Sequence, residues 1–152
     1  MTTTRLALIA ATGSALLLGG AFLFQHAGYP PCKMCLWQRW PHAAAILIGL
    51  LFIALKTRAL LWLGAIAALA TSAVGMFHAG VEQQWWEGPS TCTSGSTEGL
   101  TPDELLERIL NAPLVRCDEI AWQFAGLSMA GWNAVFSLIL ALIWIAAARR
   151  SN

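Results

Sequence analysis

Long apolar runs separated by short polar breaks dominate the chain. Four of them stand out, at residues 6–24, 43–55, 59–77 and 127–148. The first, third and fourth are close to the roughly 20 residues that a helix needs to cross the hydrocarbon core of a bilayer. The second reaches that length only if its helix includes the amphipathic lead-in at residues 36–42. The pattern predicts an all-α membrane protein built as a bundle of four transmembrane helices.

The polar breaks predict how these helices are connected. We expect one integral membrane domain over residues 1–152, with helices at about residues 6–26, 36–55, 59–79 and 127–148 and external loops at about residues 27–35 and 80–126. Lys56-Thr57-Arg58 leaves room only for a tight turn, so the second and third helices form a hairpin. The first run could instead be a cleaved signal peptide, but it is longer than the roughly 7–15 apolar residues typical of one.

Small residues recur every three or four positions along the third run. They are Gly64, Ala68, Ser72 and Gly75. Small side chains at this spacing allow the backbones of two membrane helices to approach closely. We therefore expect this stripe to pack against a neighbouring helix.

The distribution of charge predicts the orientation in the membrane. The chain is 57% hydrophobic and 11% charged, whereas soluble domains contain about 25% charged residues. Five basic residues fall at one end of the bundle: Arg5, Lys56, Arg58, Arg149 and Arg150. All eight acids fall at the other end: Glu82, Glu87, Glu98, Asp103, Glu104, Glu107, Asp118 and Glu119. Because basic residues gather on the cytoplasmic side, both termini are expected inside. The basic residues are scattered, so no nucleic-acid partner is indicated.

The long external loop contains one local element that the sequence predicts. Thr101-Pro102-Asp103-Glu104 has the form of a capping box with proline at the first helical position. An apolar stripe follows (Leu105, Leu106, Ile109, Leu110), opposed by Glu104, Glu107 and Arg108, and Pro113 stops the helix. Such a short amphipathic helix is expected to lie on the membrane surface. The preceding TCTSGSTEG is polar, so we expect Cys92 to be mobile and exposed, as exchanging disulfides are.

All four cysteines, Cys32, Cys35, Cys92 and Cys117, map to the external side, which is oxidising in a bacterium. Cys92 and Cys117 could form a structural or a redox disulfide. A C-x-x-C pair such as Cys32 and Cys35 gains little from loop closure and is typical of metal binding or redox exchange. Leu36 follows Cys35, which excludes c-type haem attachment. Pro30-Pro31 indicates a helix start near Cys32, where the helix N-terminus is expected to lower a cysteine pKa.

Arg39 lies one helical turn after Cys35, on the same face of the predicted helix. It could be an arginine that snorkels to the interface. Its place on the external side, against the positive-inside tendency, indicates instead that it orients or polarises an anionic group beside Cys35. The flanking Trp37 and Trp40 are typical of an aromatic belt at the membrane interface.

Four stretches together resemble the bacterial disulfide bond formation protein B family, the quinone-dependent membrane oxidases called DsbB. They are FQH at 24–26, PCKMCLWQR at 31–39, Cys92, and CDEIAWQFAGL at 117–127. The resemblance implies that Cys32, Cys35, Cys92 and Cys117 are catalytic. It also implies a quinone site with Cys35, Arg39, His42 and Trp122, where the cofactor is ubiquinone or menaquinone. The implied location is the bacterial inner membrane, with the cysteines on the periplasmic side.

The resemblance further implies a partner and an order of electron transfer. A reduced periplasmic oxidase of the thioredoxin-like DsbA type would attack the Cys92–Cys117 disulfide at Cys92. Electrons would then reach Cys32–Cys35, through a transient Cys32–Cys117 bond. Cys35 would face the quinone, and Arg39 would stabilise the charge that develops on the quinone oxygen. The outcome would be a continued supply of oxidant for protein disulfide bond formation.

Three other functions remain open on the sequence alone. A thiol/quinone oxidoreductase like vitamin K epoxide reductase also has four helices, but its quinone-side C-x-x-C lies late in the bundle. A metal- or haem-binding membrane protein would use His26, His42 and His78, which map near the external helix ends. We favour the interpretation that these histidines are interfacial residues, with a place in a quinone pocket as the next alternative, and we expect no metal site. A non-enzymatic scaffold would use the cysteines only as structural disulfides.

Overall fold

The computed structural model describes residues 2–93, 101–110 and 115–150. The elements in chain order are α1 (Thr3–His26), α2 (Lys33–Leu55), α3 (Arg58–Glu82), α4 (Pro102–Leu110), β1 (Gln123–Phe124), β2 (Leu127–Ser128) and α5 (Met129–Arg150). Within the described residues, four helices (α1, α2, α3 and α5) are long and apolar enough to cross a membrane. The prediction of an all-α protein with a four-transmembrane-helix bundle is confirmed.

Local backbone and capping features mark the start of α1 and the turn between α2 and α3. The hydroxyl of Thr2 accepts the Arg5 amide at 3.3 Å at the start of α1. Lys56 adopts the left-handed conformation, with φ of 52°, and ends α2, while extended Thr57 precedes α3. The predicted tight turn is therefore confirmed. Lys56 Nζ donates to Thr4 Oγ1 at 3.5 Å, which brings the start of α1 beside the α2–α3 turn.

Small residues on α3 allow it to pack closely against α5. A Cβ atom at Gly64 would lie 2.7 Å from the indole of the fully buried Trp144. One at Gly75 would lie 3.1 Å from the carbonyl oxygen of Ala130. The hydroxyl of Ser72 donates to the carbonyl oxygen of Ala134 at 2.8 Å. The prediction that this stripe packs closely against a neighbouring helix is confirmed.

The outside of the bundle is apolar. Large side chains such as Leu16, Leu23, Leu47 and Leu142 are exposed on the four long helices. Trp40 is also exposed, in the first half of α2. In water such a surface would be unfavourable, whereas in a bilayer it contacts lipid chains. The exposure pattern is therefore that of a membrane-embedded bundle.

The predicted capping box at the start of α4 is present. The Thr101 amide donates to Glu104 Oε2 at 2.8 Å, and the Glu104 amide donates to Thr101 Oγ1 at 3.4 Å. Leu106 and Leu110 are exposed on this helix. The predicted roles of the Leu105, Arg108 and Ile109 side chains, of Pro113 and of segment 94–100 lie outside the described residues. That α4 lies on the membrane surface stays a prediction.

A two-stranded hairpin precedes α5, an element that the sequence reading did not include. Gln123 pairs with Ser128 and Phe124 with Leu127. Ala125 and Gly126 form the two-residue turn with φ of 50° and 81°, the left-handed pair that tight hairpins require. The helix begins at Met129 rather than at residue 127, because Leu127 and its neighbour pair with β1.

Candidate functional site

The C-x-x-C pair lies at the start of α2. Cys32 is the N-cap residue, and its sulfur accepts the backbone N–H of Cys35 at 3.2 Å. One helical turn then brings the two sulfurs to 2.8 Å from each other. The hydrogen bond with the Cys35 sulfur and burial raise the pKa of Cys32, and the opposing backbone N–H groups of Cys35 and Met34 do not outweigh them. The expected lowering of the pKa at the helix N-terminus is therefore wrong for Cys32.

The other two cysteines form a disulfide, Cys92–Cys117, with a Cα–Cα distance of 5.4 Å. The expectation that Cys92 is exposed is wrong, because this residue is only 1% exposed, whereas its mobility stays a prediction. Met34 and Val81 pack over the disulfide, and Cys32 belongs to the same buried cluster. The Cys117 amide donates to the Cys92 carbonyl oxygen at 2.7 Å, which ties the two chain segments together. The two cysteine pairs thus adjoin within one cluster.

An ion pair flanks the disulfide on the Cys117 side. The guanidinium of Arg116 donates two hydrogen bonds to Asp118, at 2.7 Å and 3.0 Å. These bonds lower the pKa of the Asp118 carboxyl. The pair is partly exposed, so its contribution to stability is small.

A cavity of about 430 Å³ opens beside the dithiol. Cys35, Arg39, His42 and Trp122 all line it, so the structure brings the four residues predicted for a cofactor onto one space. The rest of the wall is mainly apolar and comes from α1, α5 and the segment before α5; it includes Leu17, Ala21, Phe24 and Phe136. Trp122 reaches the cavity because its ring packs edge-on against Phe24, with centroids 5.1 Å apart.

Arg39 points inward between α1 and α2. Its Nη1 donates to Gln25 Oε1 at 2.8 Å, its Nη2 donates to the Ala21 carbonyl oxygen at 3.4 Å, and its guanidinium lies 4.7 Å from the centre of the Phe22 ring. The remaining donor, Nε, is buried and has no hydrogen-bond partner among the described residues. These contacts give the FQH stretch a physical role, since Gln25 holds Arg39 and Phe24 supports Trp122.

The three histidines differ in position. His26 is exposed, whereas His42 and His78 are 3% and 2% exposed. The interfacial interpretation is therefore wrong for the latter two, which face the bundle interior. The Nε2 atom of His78 lies 3.5 Å from the Cys32 sulfur. Together with the Cys35 sulfur these ligand atoms lie within 4.8 Å of one another. They could hold a soft divalent cation only while both thiols are reduced, because thiolates are the metal ligands.

A polar network that sequence reasoning missed connects both buried histidines. Gln38 Nε2 contacts His78 Nδ1 at 3.0 Å, and Asn133 Nδ2 donates to Gln38 Oε1 at 2.7 Å. His42 Nε2 contacts Asn133 Oδ1 at 2.8 Å. The network spans α2, α3 and α5, so no local spacing reveals it. The sequence offers one sign of this network, which is the polar amide of Asn133 inside an apolar run. Polar residues within a membrane helix are usually functional or paired with other polar groups.

A membrane bundle that holds a C-x-x-C dithiol against a second, disulfide-bonded cysteine pair defines a membrane thiol–disulfide redox protein. Comparison with known proteins identifies the family. The family model described as "Disulfide bond formation protein DsbB" matches residues 3–147, and the chain belongs to this family. No solved structure matches the chain.

Related proteins with similar descriptions match this chain over most of their own length. Disulfide bond formation protein B of Pasteurella multocida is 32% identical, with 99% of this chain and 90% of the relative covered. The protein of that name from Polaromonas sp. is 30% identical, with 91% and 85% covered. Disulfide bond formation protein B 2 of Pseudomonas aeruginosa is 29% identical, with 93% and 89% covered. The chain is thus a bacterial inner-membrane thiol oxidoreductase of disulfide bond formation.

Proposed function

We propose that the protein reoxidises a periplasmic, thioredoxin-like dithiol oxidase of the DsbA type and passes the electrons to membrane quinone, either ubiquinone or menaquinone. The observation that carries this proposal is the cavity beside Cys35. Three buried polar atoms without partners among the described residues, Arg39 Nε, His42 Nδ1 and Glu82 Oε2, belong to residues that line it. A redox-active sulfur, a fixed cation and an imidazole therefore meet in a mainly apolar space.

The cavity suits a quinone head group in size and chemistry. Its volume of about 430 Å³ lies in the range of about 300–1,000 Å³ usual for small-molecule sites. When bound, a quinone would supply a two-electron oxidation of the dithiol. Arg39 would hold a carbonyl oxygen through Nε–H, and its charge would stabilise negative charge in a site of low dielectric. Trp122 and Phe24 would contact the ring.

His42 is suited to exchange a proton in this cavity. Its Nε2 faces the carbonyl oxygen of the Asn133 side chain at 2.8 Å. Because that oxygen only accepts hydrogen bonds, Nε2 carries the proton of the neutral imidazole. Nδ1 is then left with its lone pair, buried and without a partner among the described residues. It can take up a proton without losing the bond to Asn133.

The adjoining cysteine pairs support a relay by thiol–disulfide exchange. The partner's thiolate would break the Cys92–Cys117 bond at Cys92, and Cys117 would then attack Cys32 and release Cys35. The partner's second cysteine would break the mixed disulfide, which forms the partner's own disulfide and releases Cys92. Attack of Cys92 on Cys117 in the Cys32–Cys117 bond would restore the loop disulfide and leave Cys32 and Cys35 reduced. Each exchange forms one S–S bond and breaks one, so two electrons and two protons move from the partner to the C-x-x-C pair. Because Met34 and Val81 cover the disulfide, we infer that Cys92 must be uncovered when the partner docks.

The orientation belongs to the same proposal. Both termini would be cytoplasmic and the four cysteines periplasmic. The contact of Lys56 with Thr4 supports this orientation, because it joins two of the basic segments at the end of the bundle away from the cysteines. The α4 helix would lie on the periplasmic membrane surface.

The experiment that tests the function is quinone reduction by the purified protein with a reduced thioredoxin-like oxidase as donor. We expect turnover with the parent protein and none with Cys35→Ser. Arg149→Met, a change at the opposite end of the bundle, is the matched control and should be normal. Quinone turnover that persists in Cys35→Ser would contradict the proposal. The absence of any turnover in the parent protein would favour a scaffold with structural disulfides.

A further inference from the structure

The hydrogen bonds around His78 have a fixed direction. The amide nitrogen of Gln38 lies 3.2 Å from the backbone carbonyl oxygen of Met34. A carbonyl oxygen only accepts, so the amide nitrogen, and not the amide oxygen, must occupy this position. The same nitrogen lies 3.0 Å from Nδ1 of His78 and donates its second hydrogen there. Nδ1 is thus the acceptor, and a neutral His78 carries its proton on Nε2.

A second backbone carbonyl oxygen fixes the orientation of the Gln38 amide independently. The hydroxyl of Thr71 donates to the carbonyl oxygen of Gln38 at 3.1 Å. It must then accept from Asn133 Nδ2, which lies 3.2 Å away. Asn133 Nδ2 also donates to Gln38 Oε1 at 2.7 Å. The Gln38 amide is therefore held in one orientation from both of its ends.

The proton on His78 Nε2 points at the junction of the two cysteine pairs. The Cys32 sulfur lies 3.5 Å from Nε2, and the imidazole also lies against the backbone of Cys117. The carboxylate on the same helix, Glu82, has its Oε1 atom 3.9 Å from Nε2, beyond hydrogen-bond distance. Cys32 and Cys35 are in turn in sulfur–sulfur contact. A series of donors thus runs from Asn133 through Gln38 and His78 into the dithiol.

We propose that His78 is a catalytic hydrogen-bond donor to the Cys32–Cys35 pair and that Gln38 is the positioning residue that fixes its tautomer. Reduction of this pair breaks the S–S bond with two electrons and one proton, leaving one thiol and one thiolate. The two sulfurs lie 2.8 Å apart and share that one proton, so a donor to Cys32 stabilises the negative charge of the reduced pair more than it stabilises the disulfide. His78 therefore favours the reduced pair, which makes Cys32–Cys35 a stronger oxidant of the loop cysteines. The proposal rests on the proposed function only in taking this pair as redox-active.

The test measures the equilibrium constant of the pair against glutathione, in a Cys92→Ser/Cys117→Ser background depleted of quinone. Since neither quinone nor a partner protein takes part, failure of the proposed function does not affect the result. His78→Phe removes the hydrogen bond to the negatively charged pair, and Gln38→Leu removes the residue that orients it. From the usual strength of a hydrogen bond to a charged group, each variant should make the pair about 10- to 100-fold less oxidising. At 29.6 mV per tenfold, this is about 30–60 mV.

Two further variants separate a donor from a merely structural side chain. His78→Gln keeps an N–H donor near the position of Nε2 and should remain within about threefold of the parent. Ser72→Ala loses a hydrogen bond on the same helix, to Ala134 and outside the donor series, and should leave the constant unchanged. The proposal would be overturned if the equilibrium constants of His78→Phe and Gln38→Leu both lay within about twofold of the parent value. So small a change is less than the loss of one charge-assisted hydrogen bond produces.

The tautomer itself can be observed in the folded parent protein. Nitrogen-15 shifts of His78, assigned in a His26→Gln/His42→Gln background, should show the neutral form with the proton on Nε2. Gln38→Leu should lose this single form. A proton on Nδ1 in the parent protein would overturn the proposal, even if His78→Phe fails to fold.

Discussion

Replacement of Arg39 by methionine tests the quinone side of the cavity. The change keeps an unbranched apolar side chain and removes the guanidinium. In the structure this group donates to Gln25 and to the Ala21 carbonyl oxygen, and its Nε remains without a partner among the described residues. If Nε–H holds the quinone oxygen, Arg39→Met removes one charge-assisted hydrogen bond, a contribution of about 1.5–3 kcal/mol. At about 1.36 kcal/mol per tenfold, kcat/KM for quinone should fall about 10- to 150-fold.

The assay is steady-state reduction of a soluble quinone at saturating partner, with partner exchange at the loop disulfide measured separately. Arg39→Lys keeps a charge but loses the planar fork, so its loss should be smaller than that of Arg39→Met. Gln25→Ala should act mainly through KM, because it frees Nη1 without removing the charge. Partner exchange should stay normal in all three variants. Unchanged quinone kinetics in Arg39→Met would refute the reasoning and leave Arg39 as an anchor between α1 and α2.

Three other outcomes follow from the account. A reporter fused after residue 152 should be cytoplasmic and one inserted near residue 95 periplasmic, and the reverse pattern would contradict the orientation. Cys92→Ser should block oxidation of the partner yet leave Cys32–Cys35 oxidisable by quinone, and a normal partner rate would show that the loop disulfide is only structural. Gly64→Ala should lower the stability of the fold by about 1–3 kcal/mol, because the added methyl group overpacks against Trp144. The measurement is the thermal unfolding midpoint in detergent, which should fall. Gly19→Ala is the control and should leave this midpoint unchanged, because an added Cβ there meets nothing within 4 Å.

The fold could be predicted because membrane helices leave strong local signals. The apolar runs, the three-residue break Lys56-Thr57-Arg58 and the small-residue stripe through Gly64 each depend on neighbouring positions along the chain. The hairpin at residues 123–128 was missed because Leu127 belongs to an apolar run, and its pairing with Phe124 depends on the left-handed turn between them.

The candidate site could be predicted only in part. The spacing of Cys32, Cys35 and Arg39 along one helix is a local pattern, and the structure keeps it. The network that orients His78 is not local, since Gln38 and Asn133 are 95 residues apart. The polar sequence around Cys92 indicated exposure, but its burial depends on Val81 and Met34, which precede it in other elements.

The central claim is that electrons pass from a partner dithiol through both cysteine pairs to quinone. The most direct measurement is a single turnover in which reduced partner is mixed with oxidised, quinone-depleted protein, and quinone is added afterwards. Before quinone, the account predicts oxidised partner, an intact Cys92–Cys117 disulfide and reduced Cys32 and Cys35. After quinone, it predicts one quinol for each partner disulfide formed and reoxidised Cys32–Cys35. Partner oxidation that leaves Cys32–Cys35 oxidised before quinone is added, or quinol formed without a matching partner disulfide, would contradict it.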